Sequence, residues 1–325
     1  MTEHMKPQSF VEIAPWQPCR TNAGDNPNQG DDPAAAIVCA AEIPPNWVMP
    51  PGYTLVFEDT FRTSNLDTTQ WWTRGAFNNG YQDYMNDEWQ RYRESGNHVQ
   101  GDTGIGLTSL PYDTAQGFWP SGFIRTKDLF DLASGLPYFF ECRGRVPGGI
   151  GTWPAFWLAA SEREAGVDSS TPWPPEIDIM EICNNGVEDT TWMLGARCQQ
   201  KNWDTCPQKY QVTAWAENVN PDWGTWWAPF NFADDYHRFQ LHYQRPNFAI
   251  YCDDLFIIGG IYDWTDDGGN PAPPANILCN LAIGGSWAGR YGVDDSAMPQ
   301  AFQMDYVRVW QQLKQSTIGH DLMPR

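Results

Sequence analysis

The sequence predicts an all-β sandwich. Two observations carry that expectation. Strand-length runs of apolar, aromatic and β-branched residues recur between clusters of Gly, Pro, Asn and Asp, and helical periodicity is scarce along the 325 residues. One of those runs also holds an alternating row of acids, which cannot face a dry interior without a heavy desolvation cost and must therefore line a wet groove.

Residues 1–50 are rich in Pro, Asn, Asp and Gly and read as an irregular N-terminal extension. The pattern changes at Tyr53. Runs at 53–57, 123–126, 138–145, 156–159, 177–182, 238–244, 249–253, 255–258, 277–282 and 302–310 each have strand length and strand composition. The stretch Asp222-Trp223-Gly224-Thr225-Trp226-Trp227 reads as a Trp-rich loop that caps the core or extends a cleft. The folded domain spans 51–311, and a polar tail occupies 312–325.

Composition narrows the function. Asp plus Glu outnumber Lys plus Arg by 40 to 20, for a net charge of −20, which disfavours nucleic acid and polyanionic partners. Aromatics make up 14% of the chain, with 18 Trp, a surplus suited to stacking on sugar rings. No apolar run reaches the 18 or so residues of a membrane span. The first residues lack a basic region followed by an apolar core, so no signal peptide is visible. Eight cysteines, an even number, point to an extracellular or otherwise oxidising compartment. Cys19 with Cys39 and Cys198 with Cys206 are plausible local bridges, while Cys183, Cys252 and Cys279 sit in apolar runs as buried thiols.

The chemistry concentrates in Glu176-Ile177-Asp178-Ile179-Met180-Glu181. In a regular strand Glu176 and Asp178 share a face, and Glu181, five residues on, falls on the other. A β-bulge at Ile179-Met180 would return Glu181 to the face of the other two acids. At about 3.3 Å per residue and about 4 Å of side-chain lean from each Glu, the two carboxyls come about 5 Å apart. That separation belongs to retaining glycosidases, in which one carboxylate attacks the sugar and the other protonates the leaving oxygen.

With these acids stand Tyr138-Phe139-Phe140-Glu141, Gly151-Thr152-Trp153-Pro154-Ala155-Phe156-Trp157-Leu158, Asn86-Asp87-Glu88-Trp89-Gln90, Ser121-Gly122-Phe123-Ile124-Arg125-Thr126-Lys127, Ile283-Gly284-Gly285-Ser286-Trp287 and Met304-Asp305-Tyr306-Val307-Arg308-Val309-Trp310. In this order the segments resemble glycoside hydrolase family 16, the laminarinases, lichenases, agarases and carrageenases, from about Tyr53 to Gln311. The resemblance implies a concanavalin-like β-jelly roll of two curved antiparallel sheets with a concave substrate cleft. It implies Glu176 as nucleophile, Glu181 as general acid and then base, and Asp178 as the carboxylate between them. It also implies sugar contacts from Asn86, Trp153, Trp157 and Trp287. The residue inserted between Asp178 and Glu181 is similar to the laminarinase, agarase and carrageenase branches rather than the lichenases.

Two positions depart from the family pattern. A His usual after the acids is absent from Leu194-Gly195-Ala196-Arg197-Cys198. Thr60 stands where relatives carry an acid that helps bind a structural calcium with the residue matching Asp305, and losing one oxygen ligand weakens that site. The expectation is a monomeric, retaining endo-β-glycanase cutting internal β-1,3 or mixed β-1,3/1,4 linkages, with polysaccharide as partner, no cofactor in the chemistry and calcium at most structural near Asp305. The alternatives are a depolymerase of bacterial exopolysaccharide or galactan, a transglycosylase, and a non-catalytic lectin on the same fold.

Overall fold

The computed structural model describes residue 49 and residues 52–77, 80–127, 129–160, 175–184, 209–216, 219–227, 231–266 and 268–312. Two antiparallel sheets pack face to face. The first runs Leu255–Ile261, Asn247–Cys252, His237–Gln244, Tyr138–Arg145, Gln300–Gln312, Gly104–Ser109 and His98–Gly101, with Tyr53–Asp59 also paired to Gln300–Gln312. The second runs Val219–Trp227, Lys209–Ala216, Glu176–Ile182, Thr152–Ala160, Ala275–Ile283, Phe123–Thr126 and Trp71–Trp72.

Every run expected as a strand forms one. The segment Asp222 to Trp227, expected as a loop, is instead part of the Val219–Trp227 strand, paired along its length with Lys209–Ala216. Backbone pairing to a neighbour outweighs the Gly and Asp that suggested a turn. Asp253, expected to end a strand, lies in the turn beyond it. It and Asp254 have φ of 51° and 69°, the left-handed conformation that Asp tolerates in tight hairpins.

Alternation feeds the space between the sheets. Phe140 and Cys142, Phe239, Leu241 and Tyr243, and Phe302 and Met304 come from the first sheet. Phe156 and Leu158, Ile177 and Ile179, and Ile277, Cys279 and Leu281 come from the second. Of the four described cysteines, Cys142, Cys252 and Cys279 are buried free thiols and Cys183 is half-buried. The other four, with the local bridges expected of them, lie outside the described residues.

The acid-bearing strand breaks its alternation once. Ile177, Ile179, Met180 and Ile182 all belong to the core between the sheets, so the inward parity switches between Ile179 and Met180. The ladder registers the same event. Phe156 faces Met180 and Trp157 faces Asp178, which leaves Ile179 without an opposite number. The register to Lys209–Ala216 also shifts between Asp178 and Glu181. A one-residue bulge thus sits where the acid spacing requires it.

Gln300–Gln312 repeats the device. Arg143 faces Tyr306 and Gly144 faces Met304, so Asp305 is the extra residue, and the core positions jump from Met304 to Val307. Asp305 turns outward, where its carboxylate takes an ion pair from Arg62 and another from Arg143 at 2.7 Å. The two guanidinium groups hold that carboxyl below its usual range against the opposing effect of partial burial. Thr60 does not supply the missing acid; its carbonyl accepts from Arg62, 2.7 Å away. A donor set already occupied by two cations does not fit the calcium expected beside Asp305.

Two outcomes test this architecture. Deleting Met180 restores regular pairing and leaves all three acids on one face, so the protein stays folded and loses about 2–5 kcal/mol from the missing core side chain. Inserting Ala after Met180 also returns Glu181 to the face of the other acids, but only by moving Met180 outward and Ala into the core, so it costs a similar amount, and urea denaturation of the two variants reads both losses directly. Separately, burial lowers the pKa of His242, whose Nε2 lies 2.6 Å from the Tyr53 hydroxyl, from 6.5 to about 4. The unfolded chain takes up that proton first, so His242 removes stability as pH falls from about 6.5 to about 4, by at most about 3 kcal/mol. Subtracting the stability profile of His242→Gln from that of the wild type isolates this slope.

Candidate active site

Because Ile177, Ile179, Met180 and Ile182 point into the sandwich, Glu176, Asp178 and Glu181 point out of it, onto the open face of the second sheet. Opposite them on the next strand stand Ala159, Trp157 and Ala155, partners of Glu176, Asp178 and Glu181 in that order. These three belong to a second apolar cluster with Tyr92, Phe123 and Leu278, apart from the main core. The floor under the acids is therefore apolar and filled. Asp178 is 5% exposed, whereas both Glu flanking it are half-buried.

The two glutamates have different surroundings. Trp153 donates its indole N–H to Glu181 Oε1 at 3.1 Å, which fixes the direction of that carboxyl. At the other end of the strand the Glu176 amide donates to the Tyr262 hydroxyl at 3.1 Å. Tyr262 is itself buried, and its carbonyl accepts from the Tyr243 hydroxyl at 3.1 Å. Sequence reasoning missed Tyr262. Its neighbourhood, Ile261-Tyr262-Asp263-Trp264, offers no spacing that ties it to the acids.

The four aromatic and amide contacts expected from the sequence separate into different roles. Trp157 is 6% exposed and donates to Asn280 Oδ1 at 2.8 Å, so it belongs to the floor. Trp153 and Trp287 are half-buried and meet edge to face, with centroids 4.5 Å apart and planes at 83°. They form a wall at the Glu181 end of the row. Asn86 is exposed with φ of 49°, a left-handed turn position that favours Asn with or without a sugar nearby.

The turn holding Asn86 is fastened to the turn holding Trp287. Trp89 N donates to Ile283 O at 2.8 Å, Gln90 Oε1 accepts from Ile283 N at 2.7 Å, and Asp87 Oδ2 accepts from Ser286 N at 2.8 Å. Gly284, at φ of 76°, lies so close under the Trp89 indole that a Cβ would sit 2.3 Å from the ring. The Gly pair before Trp287 thus admits a protein side chain.

Beneath this junction is a buried polar network that the sequence did not reveal. Glu88 accepts from Met85 N at 3.0 Å and from Gln90 Nε2 at 2.6 Å, with the Tyr92 hydroxyl at 3.4 Å. Asn280 Nδ2 donates to that hydroxyl at 3.0 Å and links it to Trp157. Burial raises the Glu88 carboxyl to about 7, against the opposing effect of these hydrogen bonds. The signal for Asn280 was available: in Ile277–Ala282 it is a polar residue on the face opposite Ile277, Cys279 and Leu281.

The segment expected to lack the family's His, 194–198, lies outside the described residues. Among the described residues His237, Cys252 and Asp253 are grouped closely enough to suggest a metal. The Asp253 oxygens, however, already accept from His237 at 2.6 Å and from the Arg238 amide at 2.8 Å.

No family model matches the chain. It is 27% identical over 290 residues to the glucan endo-1,3-beta-glucosidase A1 of Niallia circulans, an alignment covering 80% of this chain and 38% of that protein. It is 28% identical over 273 residues to the beta-glucanase of Rhodothermus marinus, covering 80% and 86% respectively. The chain therefore spans well under half of the first relative and most of the second. Among solved structures, SCLam, a non-specific endo-beta-1,3(4)-glucanase from family GH16, superposes with a TM-score of 0.64 at 23% identity, over 82% of this chain and 94% of that one. That likeness establishes the jelly-roll fold. Joined to the ordered motifs and the bulged acid strand, these relationships make the chain similar to the bacterial β-glucanases, on the fold of a glycoside hydrolase family 16 glucanase.

Proposed function

We propose that this protein is a retaining endo-β-glycanase that hydrolyses internal β-1,3 or mixed β-1,3/1,4 linkages of a glucan. The observation that supports it most is the row of Glu176, Asp178 and Glu181 on one open face, with Trp153 holding Glu181 from the side. In this reading the Glu176 carboxylate attacks the anomeric carbon while Glu181 gives its proton to the departing sugar oxygen. The glycosyl–Glu176 ester forms as the glycosidic C–O bond breaks. Glu181, now ionised, removes a proton from water, and the hydroxide released onto the anomeric carbon restores Glu176. Asp178, buried between the two, limits the rotamers open to Glu176 and crowds negative charge beside it, which helps keep one carboxyl of the set protonated.

An apolar floor suits this chemistry, because it strengthens the interaction between carboxylate and developing positive charge on the sugar. The acidic net charge favours a neutral polymer over a sulfated one. The same reading takes the protein as a monomer that acts outside the cell and needs no cofactor for the reaction.

Glu176→Ala and Glu181→Ala should each abolish turnover with little change in melting temperature, and azide should rescue Glu176→Ala as a glycosyl azide of inverted configuration. Wild-type activity in either variant would rule out the assignment. Proton NMR of the first products should show the β-anomer before mutarotation; an initial α-anomer would mean an inverting reaction and a different pair of acids. A lectin would give neither product nor azide adduct. Trp153→Phe keeps the ring and removes the N–H that Glu181 accepts, so kcat should fall by about tenfold, on the scale of a hydrogen bond to a charged group, at unchanged melting temperature.

A further inference from the structure

Beyond the Trp153 and Trp287 wall, large rings continue outward along the surface. Trp89 is 41% exposed and Tyr112 39% exposed, although both are mounted rigidly. Trp89 lies nearly parallel to Trp119, with centroids 6.2 Å apart and planes at 25°. Tyr112 continues the row, 4.6 Å from Trp119. One carboxylate fastens two of the three, since Asp295 Oδ1 accepts from the Trp119 indole N–H at 2.8 Å and from the Tyr112 amide at 2.7 Å. Trp89 is held by its amide to Ile283 O and by the glycine floor of Gly284 and Gly289, where a Cβ would come within 2.7 Å of the ring. The strand Trp119–Ser121 also pairs in parallel with Gln90–Tyr92, which ties the two rings to a single ribbon.

Trp119 is half-buried and packs against the core from below, whereas keeping the Trp89 and Tyr112 rings in water forgoes the gain from burying them. A ligand with flat apolar faces and polar edges recovers that gain, which describes a pyranose. Nucleobases would stack as well, but Asp87, Asp113 and Asp295 border the rings and the chain carries a net charge of −20. The row is continuous with the acids. Trp89 rests on the glycines that flank Trp287, Trp287 meets Trp153, and Trp153 bonds Glu181.

We propose that Trp89, Trp119 and Tyr112 form an aromatic shelf that carries a neutral β-glucan chain beyond the sugar units nearest the acids. The proposal rests on the hydrolytic reading above and adds a binding site outside the catalytic row. The shelf gives a long polymer an advantage that a short oligosaccharide cannot collect, and that advantage appears as binding energy from parts of the substrate remote from the bond being cut.

The test uses the full chain carrying Glu176→Gln, so that ligand is not consumed, with soluble β-1,3-glucan and its trisaccharide as probes in affinity electrophoresis and calorimetry. Adding Tyr112→Ala, and separately Trp89→Ala, should weaken polymer binding by about tenfold, the scale of one aromatic stacking contact, with a clearly smaller loss for the trisaccharide. Equal losses on both probes, or none on the polymer, would overturn the shelf. Tyr112→Ala removes no contact to the Trp287 turn and so separates the shelf from collapse of the wall. Sedimentation of the unsubstituted protein adds a second check. A dimer that Tyr112→Ala dissociates would make the rings a self-association surface and overturn the proposal. A parent protein with its acids intact that cuts β-1,3-glucan, while the shelf variants bind it normally, defeats the shelf alone; a parent that neither cuts nor binds it defeats the hydrolytic reading and the shelf together.

Discussion

A seven-residue strand here must send four apolar side chains into a dry interior and three carboxylates into water, and strict alternation cannot do both with this sequence. The bulge at Ile179 and Met180 resolves the conflict, and much else depends on it. Without a change of parity Glu181 would be buried while Met180 and Ile182 were exposed, and the combined cost is large against the small margin by which a folded domain is stable. Because the neighbouring ladder skips the same residue, Ala155, Trp157 and Ala159 come opposite the three acids and provide a floor small enough at its ends for a ligand to descend. Chemistry and packing are thus set by one backbone event.

The same logic shapes the other sheet. Asp305 is the extra residue of its strand, and turning it outward releases a carboxylate to meet Arg62 and Arg143. These pairs are partly exposed, so their direct contribution to stability is modest. Their larger effect is to satisfy an acid at a point where the ladder is interrupted. Around the cleft, order comes from junctions between turns: the Asn86 turn and the Trp287 turn are joined by three hydrogen bonds and by an indole seated on glycine. A loop so fastened presents its aromatics in one orientation, which reduces the entropy lost when a ligand docks.

Much of this was legible from residue order. Alternation located the strands because both sheets have one dry face, and the acid spacing implied the bulge because charge cannot enter the core. Trp223, Trp226 and Trp227 misled, since Gly224 and Asp222 look like turn residues while backbone pairing with Lys209–Ala216 overrides local preference. Partnerships across the fold were not legible. Nothing near Tyr92 in the chain points to Asn280, and nothing near Glu176 points to Tyr262, because those contacts join segments 188 and 86 residues apart through the tertiary fold.

Cys142 and Cys279, inserted between the sheets as free thiols, bear on how such a chain can be made. They fill the volume of small apolar residues, and their burial pushes both thiols well above the ordinary range, so neither is a ready nucleophile for exchange. At these two positions the sheets meet by packing, with no bond between sulfurs. Packing at Cys142 and Cys279 therefore needs no oxidant, and the contact between the sheets there holds in a reducing solution as it does in an oxidising one.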